Sequence, residues 1–171
     1  MPPADRRMPQ TAALALDRLS RGLNDLVEKM IAAVTGLMVA IVAAQVFARY
    51  VLNHSLFWSE ELARYLLVWL AVLGATAAYR RGLHPGLDLF SGRLGPAAAR
   101  ALRIFTGLIC LFFFLLLIIQ GARFAYFVRA QISPALQLPK WIVFSILPLG
   151  GAVFTVHAIA LLLKPPEERR P

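Results

Sequence analysis

Hydrophobic residues in this 171-residue chain are grouped in long runs that short charged segments separate. The nineteen residues from Met30 to Ala48 carry no charge, and as a helix they cover roughly 28 Å, close to the thickness of the bilayer hydrocarbon. Similar runs extend from Ile104 to Ala122 and from Trp141 to Leu163. Runs of this length predict membrane-spanning helices rather than elements of a soluble domain.

A fourth span is predicted around a shorter run. The charge-free residues Tyr65 to Tyr79 reach only roughly 22 Å as a helix, so this helix is expected to begin earlier. Ser59 is a suitable N-cap, and Glu60 and Glu61 suit the positive end of a helix dipole. The chain is therefore predicted to be an all-α membrane protein with four transmembrane helices, at about 30–50, 59–79, 104–128 and 141–163.

Basic residues predict the orientation. Thirteen of the 18 Lys and Arg lie in the two terminal segments and in the loop between spans two and three. By the positive-inside rule, both termini are cytoplasmic. The predicted organisation is a cytoplasmic arm (1–29), a four-helix membrane domain (30–163) and a cytoplasmic tail (164–171).

Short interfacial helices are expected beside the spans. Leucines and a valine at helical spacing in the arm predict an amphipathic helix along the cytoplasmic interface; they are Leu16, Leu19, Leu23, Leu26 and Val27. A partly disordered arm is the alternative. Pro96 to Arg103 predicts a short helix leading into span three. No cleavable signal peptide is expected, and the first span is predicted to stay as an anchor.

Composition excludes several classes of function. Hydrophobic residues make up 59% of the chain and charged residues 16%, below the roughly 25% that is usual in soluble domains. The net charge of +9 does not indicate nucleic-acid binding, because the basic residues lie at the ends of the apolar runs. Cys110 is the only cysteine, and no phosphate-loop, nucleophile or zinc-protease motif is present. Neither enzymatic activity nor a cofactor is predicted.

Histidines do not predict a metal or haem site. His157 is the only histidine inside a predicted span, so a bundle residue with a hydrogen-bond partner is expected there. His84 and Asp88 form a polar corner just inside the membrane that has too few ligands for a metal. The apolar runs of spans one, three and four, at 30–48, 104–122 and 141–163, contain no charge, and span two carries its charges at one end. A chain without a midplane ionisable group is not expected to couple ions by itself.

Small residues in span one are the strongest packing signal. They lie four residues apart, at Ala32, Gly36, Ala40, Ala44 and Ala48, and Gly74 belongs to a similar pattern in span two. Small residues allow close helix approach, which lipid-embedded helices need for association. Two interpretations remain open, namely packing within the bundle and docking of another subunit.

Polar and aromatic residues cluster at the outer edge. Glu60 and Arg64 have the favourable order for a helical ion pair, which leaves Glu61 without a partner in its own helix. We predict a bridge from Arg49 to Glu61 that ties spans one and two together, because an unpaired carboxylate near lipid is costly. Three functions remain possible on this reasoning: a non-catalytic subunit of a larger transporter, a stand-alone small exporter, or a membrane anchor of a redox enzyme.

The sequence resembles the small membrane subunit (DctQ-type) of tripartite ATP-independent periplasmic (TRAP) transporters. The resemblance covers about Leu26 to Leu161. It is carried by FARYVLNHSLFWSEELARYLLVWLAVLGA (47–75), RRGLHPGLD (80–88), SPALQLPKW (133–141) and PLGG (148–151). The family's arginine, tryptophan, acidic pair and His to Asp corner correspond to Arg49, Trp58, Glu60, Glu61, His84 and Asp88. Pro85 departs from the pattern, because the family more often has a branched apolar residue there.

This resemblance implies a subunit of the bacterial inner membrane that works with a large multi-span subunit and a periplasmic substrate-binding protein. The complex would import organic anions such as carboxylates by sodium symport, and the small subunit would act as a scaffold. The residues expected to serve the partner interface or the bundle are Gly36, Ala40, Ala44, Arg49, Trp58, Glu60, Glu61, Arg64, Tyr65, Trp69, Gly74, His84, Asp88 and Trp141.

Overall fold

Five helices form the described part of the chain. The computed structural model describes residues 7–81 and 95–163. The helices are α1 (Arg7–Tyr50), α2 (Phe57–Arg80), α3 (Pro96–Phe127), α4 (Lys140–Phe144) and α5 (Ile146–Leu163). Within these ranges there is no strand, only one isolated bridge between Ile132 and Pro139. Four helical segments are long and apolar enough to cross a membrane, which confirms the predicted all-α fold with four spans.

The start of α2 differs from the prediction. The helix begins at Phe57, with Leu56 in the N-cap position and no side-chain cap. Ser59 therefore lies within the first turn, where its hydroxyl donates to the carbonyl of Leu56 at 2.5 Å. The predicted N-cap was wrong because this hydroxyl satisfies a backbone acceptor rather than the free amides of the helix start.

Two expected short helices are parts of long ones. Residues 7–29 continue without a break into span one, so α1 is a single helix of 44 residues. Likewise, Pro96 stands at the first turn of α3, as predicted, but this helix runs on to Phe127. The polar residues that precede each span extend the same helix beyond the apolar run. An interfacial position of the arm stays a prediction.

The fourth span is interrupted at Ser145, between α4 and α5. Pro148 has no backbone N–H, so it cannot donate to the carbonyl of Phe144 four residues earlier. The Ser145 hydroxyl donates to the carbonyl of Ile142 at 2.7 Å, and the N–H of Leu149 donates to the carbonyl of Ser145 at 3.2 Å across the break. The break separates the short helix α4 from the helix that occupies the centre of the bundle.

Helix α5 lies at the centre and packs against α1, α2 and α3. Three aromatic rings fill one part of the core, with centroids of Phe114 and Phe154 4.5 Å apart and stacked. Tyr79 of α2 meets both rings edge-on, at 5.0 and 5.8 Å. Fully buried Ala158 completes this cluster.

Glycines bring α3 and α5 together. A Cβ added at Gly151 would lie 2.8 Å from Cγ1 of Ile118, and one added at Gly121 would lie 2.9 Å from Cβ of Leu147. Gly107 in the same way faces the side chain of Leu162. Close backbone approach at these positions is how helices associate in lipid, where no hydrophobic force acts between them.

Candidate functional site

Glu61 is the centre of a polar cluster at the end of the bundle away from Arg7 and Leu163, which we call the outer end; the opposite end is the inner end. The residue as a whole is only 8% exposed. The hydroxyl of Tyr65 donates to Oε1 at 2.5 Å, while the backbone N–H groups of Ala135 and Leu136 donate to Oε2 at 2.8 and 3.1 Å. Charge-assisted hydrogen bonds of this kind are stronger than neutral ones. We call these four residues the outer clamp, because they fasten the loop after α3 to α2.

The predicted bridge from Arg49 to Glu61 does not form. Both carboxylate oxygens of Glu61 are occupied by the clamp donors, and Arg49 is exposed at the end of α1. Among the described residues the ion pairs are Arg21–Asp17, Arg80–Asp17 and Arg81–Glu28. The backbone N–H groups of Ala135 and Leu136 bind Glu61, where the sequence predicted the guanidinium of Arg49.

Glu60 also differs from expectation. Its Oε1 accepts a hydrogen bond from Nε2 of Gln45 at 3.4 Å, and its predicted ion pair with Arg64 is not among those of the described residues. These side chains border an open groove of about 560 Å³ between the outer halves of α1 and α2. The groove is lined by Met38, Gln45, Glu60, Ala63, Arg64 and Leu67.

The outer loop that the clamp holds is itself well ordered by hydrogen bonds. The N–H of Ser133 donates to the carbonyl of Leu138 at 2.9 Å, and the N–H of Lys140 donates to the carbonyl of Gln131 at 2.9 Å. Gln137 adopts a positive φ of 54° at the turn. The segment SPALQLPKW thus forms a compact hairpin-like turn against Glu61.

Three tryptophans predicted as interface or structural residues have different surroundings. Nε1 of Trp69 donates to the carbonyl of Val143 at 3.1 Å, which links α2 to α4. Trp58 and Trp141 are exposed at the outer end, at 36% and 46%. Exposed tryptophans at this level are typical of the membrane–water interface.

A second polar cluster joins α1 to the inner ends of α2 and α5. Asp17 pairs with Arg21 at 2.6 Å and with Arg80 at 3.0 Å. Ser20 Oγ and Nδ1 of His157 are 2.7 Å apart, and both residues are fully buried. His157 is therefore the hydrogen-bonded bundle residue that the sequence predicts. We call Asp17, Ser20, Arg80 and His157 the inner cluster.

Sequence reasoning missed the α1 members of these contacts. Asp17, Ser20, Asn24 and Glu28 are three or four residues apart, so they share one face of the helix. Glu28 accepts from Arg81 at 2.8 Å and from Asn24 at 2.7 Å. The spacing of these polar residues was the signal in the sequence that this face contacts other helices. The prediction instead followed the spacing of the leucines, which lie on another face of the same helix.

The small-residue row of span one does not pack within the bundle, except at its outer end. Ala32, Gly36, Ala40 and Ala44 are exposed, whereas Ala48 is buried. A Cβ added at Gly36 or at Gly74 would have no neighbour within 4 Å. Steps of four residues advance 40° around a helix, so the five positions do not share one face. Packing of the whole row within the bundle is therefore contradicted.

The remaining predicted polar corner, His84 and Asp88, lies outside the described residues. Within the part of the chain that the structure describes, no group of three or more His, Cys, Asp or Glu residues could hold a metal ion. The two clusters of the described chain therefore consist of structural hydrogen bonds and ion pairs at opposite ends of a bundle.

Comparison with known proteins places these features in context. A family described as "Tripartite ATP-independent periplasmic transporters, DctQ component" matches residues 38–165. The C4-dicarboxylate TRAP transporter small permease protein DctQ of Rhodobacter capsulatus is 33% identical over 69% of this chain and 53% of its own length. The ectoine TRAP transporter small permease protein TeaB of Halomonas elongata is 28% identical over 83% of this chain and 77% of its own length.

A further relative is a longer permease. The sialic acid TRAP transporter permease protein SiaT of Haemophilus influenzae is 32% identical over 44% of this chain, and the match covers 13% of that relative. The chain spans about half the length of the Rhodobacter relative.

Proposed function

Since this chain belongs to the family of DctQ components of tripartite ATP-independent periplasmic transporters, we propose that it is a small permease subunit that scaffolds a large transport subunit. The complex takes up a solute delivered by a periplasmic binding protein. The chain is a multi-pass membrane protein, and we place it in the bacterial inner membrane with both termini in the cytoplasm.

The distribution of charge inside the bundle carries the scaffold proposal. The inner cluster and the outer clamp lie at opposite ends, and the core between them is built from apolar or small groups such as Leu73, Thr76, Phe114 and Ile146. A subunit that moved ions or solutes through itself would need polar groups along a path at mid-depth. A bundle fastened at both ends suits the static part of a transporter better.

A large membrane partner is supported by the exposed surface and by one relative. Helices α1 and α3 leave many large apolar side chains uncovered, including Val39, Phe112 and Phe113, at 58% or more exposed. Part of this surface faces lipid, and part is available to another subunit. The match to a segment that forms 13% of a longer permease supports a partner of that kind.

The solute class is proposed from the names of the relatives. C4-dicarboxylates, ectoine and sialic acid, the solutes in those names, all carry a carboxylate group. We therefore propose an organic carboxylate as the solute and sodium as the coupling ion. The large subunit would carry both binding sites, because the described core of this chain offers none.

Uptake measured with and without this chain tests the proposal. Cells that express the large subunit and the binding protein should accumulate no labelled carboxylate when this chain is deleted, and plasmid-borne chain should restore accumulation. The chain expressed alone serves as the control and should give no uptake. Undiminished uptake without this chain would contradict an essential scaffold, and solute flux through the purified chain in liposomes would indicate a stand-alone transporter.

A further inference from the structure

The open groove between the outer halves of α1 and α2 is polar at its outer end and apolar below. Its volume of about 560 Å³ lies within the roughly 300–1,000 Å³ of small-molecule sites. At 1.5 Å per residue, Glu60 lies about 5 Å and Arg64 about 10 Å below the start of α2, whereas Leu67 lies about 15 Å below it. Across the groove, Gln45 and Met38 lie about 8 and 18 Å below the end of α1. The polarity of the groove therefore falls with depth, as the polarity of a phospholipid does.

The depth of the two charges in the bilayer follows from the length of α2. Its 24 residues span about 36 Å, slightly more than the roughly 30 Å of the hydrocarbon, so Glu60 lies close to the outer hydrocarbon boundary. Arg64 is one turn deeper on the same side of the helix. Side chains on a helix tilt toward its N-terminus, which for α2 is the outer end. The guanidinium of Arg64 therefore extends toward the level of the lipid phosphates.

The charges of Glu60 and Arg64 are not used within the described chain. Although their order favours an ion pair, the carboxylate of Glu60 accepts instead from Nε2 of Gln45, at a long 3.4 Å. The ion pairs and hydrogen bonds of the described residues leave the guanidinium of Arg64, an exposed residue, without a partner. An arginine at this depth without an anion is costly. The groove thus offers an unpaired positive charge one turn below a weakly bonded negative charge.

A zwitterionic phospholipid carries the complementary charges in the matching order. Outward from its acyl chains come first the negative phosphate and then, in phosphatidylethanolamine, the positive ammonium group. Guanidinium groups bind phosphate oxygens through paired, charge-assisted hydrogen bonds, so the phosphate fits Arg64 and the ammonium fits Glu60. An anionic lipid without an amine would place its charge near Glu60 with nothing to neutralise that carboxylate.

We propose that this groove binds one phosphatidylethanolamine molecule of the outer leaflet. Its phosphate contacts Arg64, its ammonium group contacts Glu60, and one acyl chain lies against Met38 and Leu67. Glu60 and Arg64 are one position around α2 from Glu61 and Tyr65, so the lipid leaves the outer clamp intact. The inference is independent of the proposed function, because it uses only the residues of the groove and the chemistry of the bilayer.

Native mass spectrometry of the purified chain tests the site. The chain in dodecylmaltoside micelles is titrated with dioleoyl-phosphatidylethanolamine or with dioleoyl-phosphatidylglycerol, and the lipids retained by each chain are counted. One phosphatidylethanolamine should be held tightly, with roughly tenfold weaker retention of phosphatidylglycerol. Equal retention of the two lipids, or gradual loading without a first tight molecule, would overturn the proposal.

Substitutions separate the three parts of the site. Arg64→Gln should weaken retention of phosphatidylethanolamine roughly tenfold, and Ala63→Phe should weaken it by filling the groove without changing its charge. Arg123→Gln is the matched control, because it removes an exposed arginine near the outer end of α3, and it should have no effect. Unchanged retention in both groove variants, or an equal loss in Arg123→Gln, would contradict the site.

Glu60→Gln tests the headgroup specificity. This variant should retain the two lipids equally, because the ammonium group loses its carboxylate partner. The ratio between two lipids is measured within one variant, so a general loss of folding cannot imitate the change. A Glu60→Gln chain that keeps the full preference for phosphatidylethanolamine would refute the assigned ammonium contact.

Photo-crosslinking identifies the occupant of the groove in the membrane. A benzoylphenylalanine in place of Leu67, a 56% exposed residue of the groove, should give an adduct heavier by one phospholipid. An adduct between Leu67 and another protein would show that a protein partner fills the groove, and it would overturn the proposal.

Discussion

Replacing Gly151 with alanine tests whether α3 and α5 are held together by backbone contact. The added methyl group would lie 2.8 Å from Cγ1 of Ile118, 3.2 Å from its backbone N and 3.2 Å from the backbone O of Phe114. Two of these three atoms belong to the backbone of α3, so they cannot move aside as a flexible side chain could. The helices must separate, or the methyl group must remain compressed.

The magnitude follows from two opposing terms. Overpacking by one methyl group in a well-packed core costs about 1–3 kcal/mol. Alanine in place of glycine inside a helix returns about 1 kcal/mol through its higher helix propensity. We therefore expect Gly151→Ala to lower the free energy of unfolding by up to about 2 kcal/mol, because the steric term is the larger one.

Gly36→Ala is the matched control. It makes the same chemical change in a helix, but the new methyl group has no neighbour within 4 Å, so only the propensity term acts. The free energy of unfolding should stay the same or rise by up to about 1 kcal/mol. The two variants should thus change stability in opposite directions and differ by roughly 2 kcal/mol, about thirtyfold in the unfolding equilibrium constant.

Equilibrium unfolding of the purified chain measures both values. Titration of dodecylmaltoside micelles with sodium dodecyl sulfate, followed by circular dichroism, gives the free energy of unfolding for each variant. A Gly151→Ala protein as stable as Gly36→Ala would refute close backbone packing between α3 and α5. Loss of stability in both variants would show that glycine is needed at exposed positions too, which the geometry does not predict.

Two further predictions concern the polar clusters. Glu61→Ala should expose the turn that it holds, so hydrogen exchange of the turn's amides should accelerate roughly tenfold or more, while Glu60→Ala should leave it unchanged. Equal rates in the two variants would argue against the outer clamp. Ser20→Ala should lower the free energy of unfolding by about 1–2 kcal/mol, because the buried ring of His157 loses its described hydrogen-bond partner. An unchanged unfolding midpoint would show that the ring finds another partner.

The C-terminal end of each spanning helix could be predicted from the sequence almost to the residue. The predicted ends at 50, 79, 128 and 163 compare with Tyr50, Arg80, Phe127 and Leu163. The helix starts were placed too late, above all for α1 and α3. Hydropathy reports where a helix contacts lipid, whereas the backbone hydrogen bonds of a helix continue into polar sequence without any change in hydropathy.

The candidate site could be predicted only in part. Glu61 and His157 were identified because polar groups near or within lipid require partners, and Tyr65 because aromatic residues occur at the edge of the membrane. Their actual partners were missed, since the amides of Ala135 and Leu136 carry no side-chain signature that a sequence can display. A long-range hydrogen bond to backbone depends on how a loop folds back, and the residue types in that loop do not specify it.

The sequence by itself determined that this chain crosses a membrane four times, because only runs of about 20 apolar residues can remain in hydrocarbon with every backbone group satisfied. Only the tertiary structure decided which helix faces meet. In lipid every apolar face is equally well solvated, so hydrophobicity does not distinguish a packed face from an exposed one. Close backbone fit at Gly151 and hydrogen bonds at Ser20 and Glu61 determined which faces pack, and they left Ala32, Gly36, Ala40 and Ala44 of α1 exposed.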